Sequence, residues 1–177
     1  KEDTDKRFPE ISESPGKGWF PLAGEKPAQI ILDNEDYPVV RIASGMLTDD
    51  VERITGMRPE VIECGETESI SDTHAIIAGT VGHSRLIDSF ADKGLIDVSG
   101  IEGRWESCII TTIRLPEHDS PVLVIAGSDR RGTAYGLTTL SEAIGVSPWY
   151  WWADVTPQPR KALYIEPGCF IQGEPSV

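Results

Sequence analysis

The stretch VLVIAGSDRRGTAYG, residues 122–136, places a glycine directly after an apolar run and two more in the residues that follow. Such an arrangement lets backbone N–H groups at a helix N-terminus come close to an anion. The spacing is G-x-x-x-x-G-x-x-x-G rather than the G-x-G-x-x-G of dinucleotide sites, and no Lys-Ser or Lys-Thr follows Gly132 as a P-loop would need. Packing is the competing reading: Gly132 and Gly136 would let a helix lie close on a sheet, with Ser128 or Asp129 capping its first turn. Arg130 and Arg131 are the only adjacent arginines. At the carboxyl end of a strand they could meet a sugar, a carboxylate or a neighbouring domain, or simply be solvated.

A second concentration of chemistry lies at Trp149, Tyr150, Trp151 and Trp152, with Asp154 closing the run as a cap or turn. Indole faces stack on the C–H surfaces of sugars, and they pack equally well against protein. Neighbouring positions cannot all face solvent, so at least two of these rings are expected in a core or an interface. His74, His83 and His118 show no metal-ligand spacing, and no G-x-S-x-G elbow accompanies them. Asp49 and Asp50 read as the exposed face of a helix. Cys64, Cys108 and Cys169 form no C-x-x-C pair and read as buried thiols, Cys108 within the apolar run SCIITTI. No catalytic residue, metal site or cofactor is assigned.

The elements that must position these groups follow from periodicity. AQIILD gives a first strand, and Val40, Ala43, Leu47, Val51 and Ile54 then recur at helical spacing, with Gly56 as the stop. PEVIEC and THAIIAG are two further strands. Leu86, Ile87 and Phe90 share one face of a helix after them. SCIITTIRL and VLVIAG read as a hairpin, and five consecutive apolar residues in VLVIA suggest a strand covered on both faces. Ala134, Leu137, Leu140 and Ile144 line the next helix, Gly145 offers a left-handed cap, and ALYIE is a last short strand. Residues 1–28 read as a flexible arm pinned at Trp19 and Phe20, residues 29–167 as one α/β domain, and 168–177 as a linker.

The 177 residues are 39% hydrophobic and 25% charged, the composition of a globular chain. Sixteen Lys and Arg stand against 29 Asp and Glu, a formal charge of -13 that disfavours nucleic acid and anionic lipid. No apolar stretch is long enough to span a bilayer. The first residue is Lys1, which reads as a trimmed or processed start.

Residues 122–155, VLVIAGSDRRGTAYGLTTLSEAIGVSPWYWWADV, resemble the segment leading into the catalytic barrel of glycoside hydrolase family 115 α-glucuronidases. The G-x-x-x-x-G-x-x-Y-G pattern is shared with domains that precede the barrels of hexosaminidases and family 67 α-glucuronidases, and the S-P-W-Y-W-W-A-D run narrows the resemblance to family 115. It implies a mixed β-sheet with helices packed on it, followed in the parent enzyme by a barrel. The parent would be secreted or periplasmic and would release (4-O-methyl)glucuronic acid from glucuronoxylan with inversion. The carboxyl groups for that chemistry belong to the barrel, so none is carried onto this chain. The implied partner is the downstream barrel, with the Ser128 to Gly132 loop facing it, and a fragment lacking that barrel could self-associate. The alternative is a free-standing carbohydrate-binding module built on Trp149, Trp151 and Trp152.

Overall fold

The computed structural model describes residues 8–65, 74–116, 118–147 and 156–173. Its centre is a six-stranded mixed sheet built from β3 (Gln29–Asp33), β4 (Val61–Cys64), β5 (Ala75–Thr80), β6 (Cys108–Arg114), β7 (Pro121–Gly127) and β9 (Cys169–Gln172). The order across it is β4-β3-β5-β7-β6-β9. The first four of these run parallel, β6 is antiparallel to β7, and β9 is antiparallel to β6. The fold class expected from the sequence is the one observed.

Helices cover both faces. Helices α1 (Pro38–Thr55) and α3 (Arg130–Ala143) lie side by side on one face, where Val40, Leu47, Val51, Leu137 and Leu140 meet Ile30, Ile76, Leu123 and Ile125 of the strands. Helix α2 (Arg85–Asp92) covers the other, where Leu86, Ile87 and Phe90 meet Ile31, Ile77, Val122 and Val124. Alternate residues of β7 thus enter opposite cores, and all seven are buried. Burying each large aliphatic side chain in this way contributes roughly 1.5–3 kcal/mol. The boundaries follow local chemistry: Pro38 opens α1, and Gly56 closes it in the left-handed conformation at φ 75°. Ser84 caps α2 by accepting from the Ile87 N–H.

Two stretches depart from the sequence reading. The segment taken as an arm contains β1 (Ile11–Ser12) and β2 (Phe20–Ala23), which flank β8 (Leu163–Ile165) in a separate antiparallel sheet of order β1-β8-β2. Phe20, Leu22 and Ala23 are fully buried in the core beneath α1 and α3. A four-residue strand interrupted by Pro21 shows too little alternation to be recognised, and its partner β8 lies near the other end of the chain. The segment taken as a linker begins with β9, which forms the sheet edge beside β6, with Phe170 against Phe8 at a ring separation of 5.4 Å. The domain therefore includes residues on both sides of the 29–167 span.

Candidate functional site

The carboxyl ends of β3, β5 and β7 lie together, and so do the loops that leave them. At the end of β3 the Asp33 carboxylate is almost fully buried and accepts four N–H bonds, from the Glu35 and Arg85 backbones and from Nε and Nη2 of Arg85. The Arg85 hydrogen bonds outweigh the desolvation of the carboxyl and hold its pKa at about 2. Asp36 accepts from the Thr80 and Tyr37 N–H groups, at 2.9 and 2.7 Å. The Tyr37 hydroxyl lies 2.7 Å from His83 Nε2, its ring tilted against the imidazole. Thr80 and Thr133 share a buried hydroxyl hydrogen bond of 2.8 Å between β5 and α3.

Residues Ser128, Asp129, Arg130 and Arg131 stand between the end of β7 and the first turn of α3. Asp129 is the cap: Oδ1 accepts from the Gly132 N–H at 2.7 Å, and Oδ2 accepts from the Glu106 N–H at 3.0 Å. Ser128 and Ser107 bond reciprocally, Ser128 N–H to the Ser107 carbonyl and Ser107 N–H to Ser128 Oγ. Arg131 makes an ion pair with Glu106 at 3.1 Å, and Arg130 is exposed.

The glycines carry the packing reading. A Cβ on Gly132 would sit 2.2 Å from the Ser107 carbonyl oxygen, one on Gly136 would sit 2.6 Å from Ile125 Cγ2, and one on Gly127 would meet the Thr133 backbone. These three residues are glycine because α3 is pressed onto β6 and β7 with no room for a methyl group.

Sequence reasoning missed Trp105, which is 73% exposed on the loop before β6. A tryptophan between Arg104 and Glu106 in a polar stretch, outside any periodic pattern, was the available signal. Also missed was a groove of about 520 Å³ between the starts of α1 and α3, lined by Tyr37, Val39, Arg130, Arg131, Ala134 and Tyr135 among others. Trp149, Trp151, Trp152 and Asp154 lie outside the described residues. Cys108 is buried as expected, and burial pushes its thiol up to about 11, whereas Cys169 is exposed.

Chemically, this end of the sheet is a braced rim. Asp33, Asp36 and Asp129 are committed to backbone N–H groups or to Arg85, and Glu106 to Arg131. What the rim turns outward is an indole, two guanidinium groups and the tyrosines of the groove. Among the described residues no group of three or more His, Cys, Asp or Glu is placed to hold a metal ion, and no helix is long and apolar enough to cross a membrane.

No family model matches the sequence, and no curated protein does. Among solved structures, the chain is similar to a family GH115 4-O-methyl-α-glucuronidase with specificity for decorated arabinogalactans, with 31% identity and a TM-score of 0.69. The match covers 87% of this chain and 18% of the glucuronidase, so the chain spans less than a fifth of that protein's length. Streptomyces plicatus N-acetyl-β-hexosaminidase overlaps at 16% identity and a TM-score of 0.49, covering 97% of this chain and 26% of that one. A chitobiase of Flavobacterium johnsoniae overlaps at 12% identity and 0.46, covering 94% and 20%. By its likeness to the glucuronidase, the chain is a glycoside hydrolase-related domain with a GH115-like fold.

Proposed function

We propose that the chain is a non-catalytic accessory domain of a family 115 α-glucuronidase, supporting a catalytic body that removes (4-O-methyl)glucuronic acid from a plant polysaccharide. The observation that carries this is the match to the glucuronidase: most of this chain aligns with a small part of a far longer enzyme. The site chemistry is consistent with it. An inverting glycosidase needs an acid and a base carboxyl about 6.5–9.5 Å apart with a water between them. At the rim described above, the aspartates are held as hydrogen-bond acceptors for the fold, Asp33 well below the usual carboxylate range.

The polymer is the finer part of the proposal. The sequence resemblance favours glucuronoxylan, and the solved glucuronidase is named for decorated arabinogalactans. A glucuronidase acting on either releases a uronosyl unit, and that unit is the common chemistry. Release of uronic acid from each polymer is measured for this chain alone and for the longer polypeptide that contains it. The expected result is no release by the chain alone and release by the longer protein, from glucuronoxylan first. Cleavage by the 177-residue chain unaided overturns the accessory role, and a natural polypeptide without a catalytic body overturns the assignment as a whole.

A further inference from the structure

His74 is the residue before β5, and it sits at the seam between the two sheets. Its carbonyl accepts the Gln29 N–H at 2.9 Å, and the chain runs from it into a strand buried along its whole length, so its backbone is fixed. Its side chain is half-buried, with Phe20 of β2 edge-on at a ring separation of 6.5 Å. Nδ1 is sealed from solvent and has no hydrogen-bond partner among the described residues. A neutral imidazole can leave Nδ1 as a bare lone pair. An imidazolium must instead place an N–H and part of its charge there, with nothing to accept the proton.

No neighbouring charge offsets that cost. By register, the titratable residues at this end of the main sheet are Lys26 ahead of β3, Glu60 ahead of β4, and Arg114, His118 and Asp119 around the β6–β7 turn. None of them forms an ion pair or a side-chain hydrogen bond with His74, and burial is what lowers its pKa below the ordinary 6.5. Strand β2, of sequence FPLA, carries no titratable group, and the Tyr164 hydroxyl of β8 lies by Gly24.

Water reaches Nδ1 most readily if the ring laid against it moves. Strand β5 is held by ladders on both sides, to β3 and to β7. Phe20 belongs to the sheet β1-β8-β2, which shares no strand with the main one and meets it through the buried side chains of Phe20, Leu22, Ala23, Leu163 and Ile165. We propose that His74 is an acid-sensitive latch, whose protonation releases β2, and with it the small sheet, from a six-stranded body that stays folded. Opening of one cooperative unit ahead of the rest is a general property of folded chains. The open form binds one more proton than the closed one, so acid favours opening and alkali favours closure. The latch concerns this chain alone and does not depend on the glucuronidase reading.

Hydrogen exchange read by mass spectrometry between about pH 7.5 and 5.5, the range in which imidazoles titrate and carboxylates do not, tests it. After correction for intrinsic exchange rates, protection of β2 and β8 should fall by up to about tenfold per pH unit, the slope of a single proton, while β5 and β7 keep theirs. His74→Phe and His74→Gln, neither of which titrates, should both remove that slope. The imidazole NMR signal of His74 reads the same event without any substitution, and it should take up its proton together with the loss of β2 protection. A ring that protonates while β2 stays protected overturns the latch. So does protection lost from β5 and β7 along with β2, or a slope that survives both substitutions.

Discussion

Arg85 grips Asp33 through two parallel contacts, Nε to Oδ2 and Nη2 to Oδ1, each 2.9 Å long, joining the end of β3 to the start of α2. The aspartate is sealed from solvent while half of the arginine side chain is exposed. Removing the carboxylate charge frees an arginine that water can accommodate, but it strips four N–H groups of a strong acceptor. Asp33→Asn should cost about 2–4 kcal/mol in urea unfolding near neutral pH. The sign with pH follows from the lowered pKa of about 2 against 3.8. Because the folded state binds its proton later, the contribution of about 2 kcal/mol is fully present above the unfolded value and fades as pH falls through the folded one. The gap between wild type and Asp33→Asn should therefore narrow on acidification; a gap independent of pH would contradict it.

Three glycines give opposite expectations. Gly132→Ala places a methyl group 2.2 Å from a backbone carbonyl that is itself bonded to Ser128, so neither partner can yield cheaply. Gly136→Ala meets Ile125 in the middle of the sheet. Each should lower stability by about 1–3 kcal/mol or more, Gly132→Ala the more severely. Gly45, inside α1, has nothing within 4 Å of where its Cβ would be, so Gly45→Ala should gain about 0.5–1 kcal/mol. Thermal melts of the three variants check the order.

His74 precedes β5, edge-on to Phe20, with a buried Nδ1 that has no hydrogen-bond partner among the described residues. Burial lowers its pKa below the ordinary 6.5. The unfolded chain then takes up the proton first, so stability is intact above that ordinary value and declines as pH falls below it. His74→Phe should flatten this limb of a stability-versus-pH curve measured between mildly alkaline and mildly acidic conditions. An unchanged limb would show that the imidazole is not its source.

The three thiols should separate by reactivity with a thiol reagent. Cys169, exposed on the edge strand, should react first and Cys64 next. Cys108, with no exposure and its thiol at about 11, should react only as the domain unfolds. Cys169→Ser should remove the fast phase alone.

Much of this fold was legible because its signals are local and repeated. The stripe from Val40 to Ile54 and the stop at Gly56 mark α1 to within two residues. The unbroken VLVIA run marks the strand covered on both sides. The glycines of α3 were readable as packing residues because the alternative phosphate spacings fail, although only the folded chain shows that Gly132 answers to Ser107 rather than to the sheet beneath it. Strands β2 and β9 escaped because Pro21 interrupts the first and Pro167 and Gly168 set the second apart as a fraying end, and what orders each is a partner distant in sequence. Trp105 escaped for a related reason: a lone aromatic in a polar stretch gains meaning only when Asp129, Ser128 and Arg131 are seen to hold its loop.

The placement of β8 between β1 and β2 bears on how the chain comes into being. Ribosomes deliver β1 and β2 first, and neither has a neighbouring strand until β8 has emerged. Phe20 and Leu22 lack that cover during the interval, so the nascent chain stays sticky until β8 arrives. A copy of β8 placed ahead of β1 would let the small sheet zip up at the outset of synthesis.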